Sequence, residues 1–346
     1  FRTNYEPPPA FEGSFDEPTG GAYARMATSS DFDNNERSVR KFLYRVRKQE
    51  RIFTVNDNRE RLFRFGPAKD GDGLLLADDP QVTATREVAL FARTVTDVLT
   101  ITLDANVLGA GVRLDMRKNG GLGATSRRAA WTSLAFLLRS SACQDIDNIE
   151  LLAGIRPLVR GQEQLTEVFL ADALENGAGY ATELGSRLLP FLDFVAQDRV
   201  PTFHRNGTKT PCDSSCYECI MDYESRAYHG LLDWRLATDL INAGLFGVQM
   251  VTLQSHWASV MTAGIERFSK AFGWDTQELG GVPCAVAGDG RAATPVHPLW
   301  NLDMPESVPE LQRVIVAATE AGYQWKPVDV FELIRRPSRA VAQIIQ

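Results

Sequence analysis

Three cysteines fall within eight residues, Cys212-Asp-Ser-Ser-Cys216-Tyr-Glu-Cys219, in a chain of 346 residues with only two others, Cys143 and Cys284. Thiolates at this spacing can converge on one ion without distorting the backbone. Zinc takes sulfur ligands at about 2.3 Å in closed tetrahedral sites, so the chemistry first indicated is a structural zinc site. A closed site needs four ligands and the cluster supplies three. His229, just ahead of a predicted helix, is the first candidate for the fourth, and His204, shortly before Cys212, is the second. Cys143 and Cys284 follow; their small or apolar neighbours suit buried free thiols better. His256 and His297 have no ligand company along the chain. A catalytic zinc would need an open position and a nearby general base. A redox pair at Cys216 and Cys219 would need a thioredoxin-like βαβ unit; the pattern lacks one, and the third cysteine favours metal.

Three further stretches could do chemistry. Phe169-Leu-Ala-Asp172-Ala-Leu-Glu175-Asn-Gly-Ala-Gly-Tyr180 reads as a short strand, a glycine turn and a helix start. Its two carboxylates could act in a nuclease or hydrolase, or could cap the helix. Gly120-Gly121-Leu122-Gly123-Ala124-Thr125-Ser126 lacks the Gly-Lys-Ser/Thr ending that carries a lysine to nucleotide phosphates. It reads as a connection feeding a helix. Seven cations, Arg37, Arg40, Lys41, Arg45, Arg47, Lys48 and Arg51, crowd the first strands. Such a run is a solvated face or a phosphate-facing one. On the second reading Arg45, Arg47, Lys48 and Arg51 touch nucleic acid, with Arg45 and Arg47 on one face of a strand.

The elements that must position these groups are of both kinds. Residues 1–35 read as loop or linker, with Pro7-Pro8-Pro9 and Gly20-Gly21. Strands are predicted at 42–46, 52–55 and 62–65 as a meander, and at 95–103. Helical spacing follows over 126–143, over 180–195 with Pro190 as an interruption, over 231–243 with Gly244 as its cap, and over 308–321 with Gly322 as its cap. The fold class expected is mixed α+β: a β-meander start, then a helix and strand core carrying the cysteine-rich loop. Hydrophobic residues make up 44% of the chain, enough for a sizeable core, and the net charge is −7. That balance argues against a protein wholly devoted to gripping nucleic acid. No apolar run approaches the ~18 residues of a membrane helix, and few, clustered cysteines suit a reducing cytoplasm rather than a disulfide framework. The chain opens on Phe1, which suggests a piece of a longer polypeptide.

Taken together, three separated segments resemble the MrfA-type zinc-binding domain family. They are Phe169–Tyr180, the run Cys212–Cys219, and Tyr228-His-Gly-Leu-Leu-Asp-Trp-Arg-Leu-Ala-Thr-Asp239. Ile52–Asn58, Ser133–Arg139 and Phe331–Pro337 are similar too, so the resemblance covers roughly 37–337. It implies a zinc-binding domain over 36–243 and a C-terminal α/β extension over 244–346. Family members sit at the C-terminus of superfamily-2 DNA helicases, as in mitomycin repair. Others stand as a separate subunit, as DrmB does beside the helicase DrmA in the DISARM anti-phage system. For this chain the resemblance implies zinc on Cys212, Cys216 and Cys219, a DrmA-like helicase partner, DNA, and no catalysis of its own. The repair-helicase pattern has a further cysteine just before the position of Cys212, where this chain has Thr210 and Pro211. His229 lies inside a resembling segment and is therefore preferred to His204.

Overall fold

Long runs of β-branched and aromatic residues build the first layer. In the computed structural model, residues 23–26, 35–56, 63–67, 74–76, 86–88, 90–116, 122–160, 163–203 and 212–345 are described. Strands β1 (Tyr23–Met26), β2 (Arg37–Val39) and β3 (Phe42–Asn56) are the first described, β1 falling within residues 1–35, expected as loop, because Tyr23–Met26 pairs with Ile52–Val55. The stretches 42–46 and 52–55 are therefore one strand rather than two. A bulge joins them: the register against the next long strand shifts between Arg47 and Glu50, with Gln49 at φ 58°. One extra residue absorbs the polar interval and bends the strand without ending it. Strands β4 (Phe63–Pro67), β5 (Leu74–Leu76) and β6 (Arg86–Val88) form a separate sheet of order β5-β4-β6.

Strand β7 (Leu90–Leu103) pairs with β3. A short helix α1 (Ala105–Leu108) and the long α2 (Ala124–Asp145) follow, then the hairpin of β8 (Leu151–Arg160) and β9 (Glu163–Asp172). The main sheet has the order β1-β3-β7-β9-β8, with β2 on β3, and every pairing in it is antiparallel. Alternate residues of β7 face opposite ways. Leu99, Ile101 and Leu103 join the large core around α2, whereas Val98 packs with Ile52, Phe169 and Ala171 on the other face. The sheet curls, bringing β1 beside β8. Helix α2 is buried almost all round, from Ser126 to Ala142, as a helix must be when sheet and helices enclose it.

Helices α3 (Tyr180–Ser186) and α4 (Leu188–Phe194) come next, followed by a π turn over 195–199. The break falls at Arg187, not at Pro190. A proline ring clashes with the carbonyl four residues earlier, here Ser186, so the helix must restart before it. Helix α5 (Trp234–Phe246) is capped by Asp233, whose carboxylate accepts the Arg235 N–H at 3.0 Å. Its C-cap is Gly247, not Gly244. Gly244 is a packing glycine: a Cβ there would lie 2.1 Å from the Phe42 ring and 2.8 Å from Leu103.

Helix α6 (Ala258–Phe272) leads into a second sheet of β10 (Asp275–Leu279), β11 (Val282–Val286), β12 (Arg291–Val296) and, after the crossover helix α7 (Pro309–Glu320), β13 (Gln324–Asp329). β12 and β13 are parallel and the other pairings antiparallel. Gly322, at φ 77°, closes α7 as the sequence suggests. Helices α8 (Val330–Arg335) and α9 (Pro337–Ile345) end the described chain. One apolar core runs from Phe42 through α2 and α5 to Leu299 and Phe331. Residue 244, the boundary expected from the sequence, thus lies inside α5 and inside that core. Among the described residues no helix is long and apolar enough to cross a membrane.

Candidate metal centre

The described part of the cysteine loop starts at Cys212 and ends where α5 begins. Loops expose carbonyls, and here the surrounding helices satisfy them. Trp234 Nε1 donates to Cys212 O at 2.9 Å, and the Trp234 N–H donates to Ser214 O at 2.9 Å. The Arg235 guanidinium donates to Asp213 O and that of Arg335 to the Ser214 hydroxyl. From α2, the Ser140 hydroxyl donates to Cys219 O at 3.1 Å, while Arg139 pairs with Asp222. Inside the loop, Cys219 N–H and Met221 N–H both donate to Cys216 O, at 3.1 and 3.0 Å, making one tight turn.

That turn brings the three sulfurs within 4.8 Å of one another. Cys212 Sγ and Cys219 Sγ are 3.6 Å apart, close to the ~3.8 Å edge of a tetrahedron with 2.3 Å bonds. The Cys216 N–H donates to Cys219 Sγ at 2.9 Å, the kind of backbone contact that steadies a thiolate. The donor set and its spacing fit zinc. A hydrogen bond from the Cys219 thiol pulls Cys212 down to about 6. The same bond and then burial push Cys219 up. The proton of this pair is therefore held more tightly by Cys219 than by Cys212.

His229 lies near the turn but outside the converging group. Its Nε2 is 3.0 Å from Asp222 O and 3.2 Å from the Ser225 hydroxyl, and its ring stands edge-on to Tyr217. Burial and Arg226 lower its pKa. His204 lies outside the described residues, as do Thr210 and Pro211. Cys143 is exposed at the end of α2, against the buried position expected, and Cys284 is buried on β11. Neither joins the cluster.

Asp172 is a cap. Fully buried, it accepts the N–H groups of Ala178, Gly179 and Tyr180 on Oδ2 at 2.7, 2.6 and 3.2 Å, and that of Ala181 on Oδ1 at 2.8 Å. Four backbone donors occupy the carboxylate, so it is spent on starting α3. Glu175 stays exposed in the turn. Gly120 and Gly121 lie outside the described residues, and beside them the Arg127 guanidinium donates to Asp115 O at 2.7 Å and Leu122 O at 3.0 Å. Ser126 donates to the buried Asp329 at 2.9 Å, so an acidic group already stands at the α2 N-terminus.

The basic run splits. Arg45 is 3% exposed and lies between Glu36 at 2.7 Å and Glu167 at 3.4 Å. Glu167 also holds the buried Arg156, 2.6 Å away. Arg47 pairs with Glu50 at 3.4 Å. Arg45 and Arg47 do share a face, but it is the covered face of the curled sheet. Lys48 and Arg51, with Arg37 and Arg40, are exposed.

A second polar cluster joins residues that look solitary in the sequence. Asp239 of α5, fully buried, lies 2.9 Å from His256 Nε2 and 2.8 Å from His297 Nε2, and accepts from Trp257 Nε1 at 2.8 Å. The Leu299 N–H donates to His297 Nδ1 at 3.1 Å, which leaves Nε2 as the ring nitrogen that faces Asp239. Burial alone would raise Asp239, but the two imidazoles outweigh it and hold the carboxylate well below its usual range. No local spacing announces this cluster, since its members come from three distant segments. It ties α5, the start of α6 and the turn after β12 together.

No family model matches the chain. Over 106 residues it is 28% identical to "Druantia protein DruE" of Escherichia coli (strain UMEA 4076-1), a match covering 30% of this chain and 5% of that protein. The chain thus spans about one twentieth of the curated relative it matches. Among solved structures, the DUF1998 helicase MrfA bound to DNA is similar at a TM-score of 0.33 and 11% identity, over 59% of this chain and 23% of that one. In its motifs the chain resembles the MrfA-type zinc-binding domain family.

Proposed function

We propose that this chain is a non-catalytic accessory module of a superfamily-2 DNA helicase, stabilised by one structural zinc ion. The observation that carries the metal is the convergence of three sulfurs on a turn whose carbonyls are held by α2 and α5. The resemblance of its motifs supports the helicase setting, with a DrmA-like partner in phage defence. Asp172, committed to capping, speaks against a nuclease built on Asp172 and Glu175. We assign the fourth ligand to His229 through Nδ1. Its Nε2 is turned to the Asp222 carbonyl, the arrangement that fixes ligand imidazoles in metal sites. Closing the site requires the ring to move toward the sulfurs. Bound zinc would neutralise the clustered thiolates and fix the turn. Lys48 and Arg51 are the phosphate contacts that the exposed part of the basic run supports.

Elemental analysis of the purified chain is expected to give about one zinc per chain. A Cys216→Ser protein with full zinc and unchanged stability would overturn the site. If His204→Ala loses metal while His229→Ala keeps it, the fourth ligand is His204. The isolated chain is expected neither to hydrolyse ATP nor to nick DNA with a divalent ion, and to co-purify with its helicase.

A further inference from the structure

The surface of the cysteine turn carries two rings that a metal would not use. Tyr217, between Cys216 and Cys219, is 71% exposed and Tyr223 is 72% exposed, the highest values among the exposed large hydrophobic side chains described. They share a neighbourhood. The Tyr217 ring stands 5.7 Å from that of His229, and His229 Nε2 lies 3.0 Å from the carbonyl of Asp222, next to Tyr223. The backbone beneath is fixed. Asp222 N–H donates to the Ser225 hydroxyl at 2.8 Å, and Ser225 N–H returns a bond to Asp222 Oδ1 at 2.6 Å. Rings on a rigid support lose little conformational freedom when covered, which is how tyrosines anchor binding surfaces.

The rim selects the partner. Asp213, Glu218 and Glu224 are exposed around the turn. Arg226 is the one exposed cation among the described residues of 212–230, and its guanidinium already lies 4.8 Å from the centre of the Tyr223 ring. Carboxylates beside exposed rings repel phosphates and attract cations, and the Arg226 stack demonstrates that Tyr223 accepts a guanidinium. We propose that this face docks a lysine- and arginine-bearing segment of a partner protein, with cationic groups over Tyr217 and Tyr223 and the carboxylates of Asp213 and Glu224 beside them. This goes beyond the accessory-module reading, because it needs neither a helicase partner nor a particular ion.

The test uses the full zinc-loaded chain and two fluorescent probes, an oligo-arginine peptide and an oligothymidylate of similar length, at low salt. The peptide is expected to bind more tightly than the oligonucleotide. Tyr217→Ala with Tyr223→Ala should weaken the peptide about tenfold, from two cation–π contacts at an exposed site. The corresponding Phe pair should keep most of the affinity, and Asp213→Lys with Glu224→Lys should lose it. Zinc content and unfolding temperature are measured on each variant. Peptide binding that survives the Ala pair within twofold would overturn the proposal. So would tighter oligonucleotide binding that the Ala pair abolishes, which would make the face a base-stacking platform. A chain that holds no zinc would sink the metal site instead, and peptide binding by the Phe pair would still report on the face.

Discussion

Cys212 and Cys219 are close enough to share a proton, and that sharing sets how the metal-free turn meets a reagent. Cys212 is drawn down to about 6 by the bond from Cys219. Iodoacetamide should therefore modify Cys212 first at neutral pH, with a rate midpoint near that value, and Cys219→Ala should move the midpoint toward the ordinary thiol range. Zinc should protect all three thiols until a chelator is added. Glu332 of α8 gives a pH dependence of the opposite kind. Burial, then the charge of Asp329, pushes it up to about 7. Between pH 4.5 and 7 the folded protein keeps a proton that the unfolded chain has released. Stability is then complete below the unfolded value and falls as pH rises to 7, by about 3 kcal/mol at 1.36 kcal/mol per unit. Glu332→Gln should flatten that decline in a urea-midpoint series and be more stable than the parent at pH 8.

At the scale of elements, Gly244 opposes two effects. Alanine would favour the α5 helix by about 1 kcal/mol. Its Cβ would meet the Phe42 ring at 2.1 Å, and overpacking costs roughly 1–3 kcal/mol. With the Cβ so close to the Phe42 ring the cost lies at the upper end, so Gly244→Ala should lower stability by up to about 2 kcal/mol in denaturant titration. The same glycine explains why α5 reads short in the sequence. Glycine marks a helix end by its freedom at positive φ, but also a close approach that only the partner strand reveals. The break lies at Arg187 rather than Pro190 for a related reason: a proline ring clashes with the carbonyl four residues earlier, so the interruption lies upstream of it. The Phe42–Asn56 strand hid its continuity behind Lys48 and Gln49, because a bulge keeps a polar interval inside a strand. The helices over 126–143 and 308–321 were legible, the first from its apolar density, the second from its one-sided spacing.

Across the whole molecule, the convergence of the three thiols was legible because one short turn gathers neighbours in sequence. The Asp239–His256–His297 cluster and the burial of Arg45 were not, because both depend on segments that meet only after folding. The shared core from Phe42 to Phe331 has its own expectation. A fragment ending at residue 243 would cut the last turn of α5, remove Gly244 from its packing on Phe42 and Leu103, and take away Leu299 and Phe331 of the same core. Such a fragment should not fold, and the full chain should unfold in one calorimetric transition. Two resolved transitions, with the first matching the fragment, would show independent units. DNA contact, where it occurs, should come from the exposed cations. With the helicase present, Lys48→Ala with Arg51→Ala should reduce the salt slope of binding by about two.

The proposed metal site lies on one short turn, with Cys212 and Cys219 separated by seven positions. As a cross-link it encloses almost no chain, so the entropy it removes from the unfolded ensemble is small. Its influence must travel outward instead, through Cys219 O to Ser140 and Cys212 O to Trp234. Metal loss should accordingly speed amide hydrogen exchange first at the C-terminal half of α2 and the first turn of α5, while the amides of β7 and β9 keep their protection. The ion would then behave as a latch on two helix ends rather than as a staple through the fold.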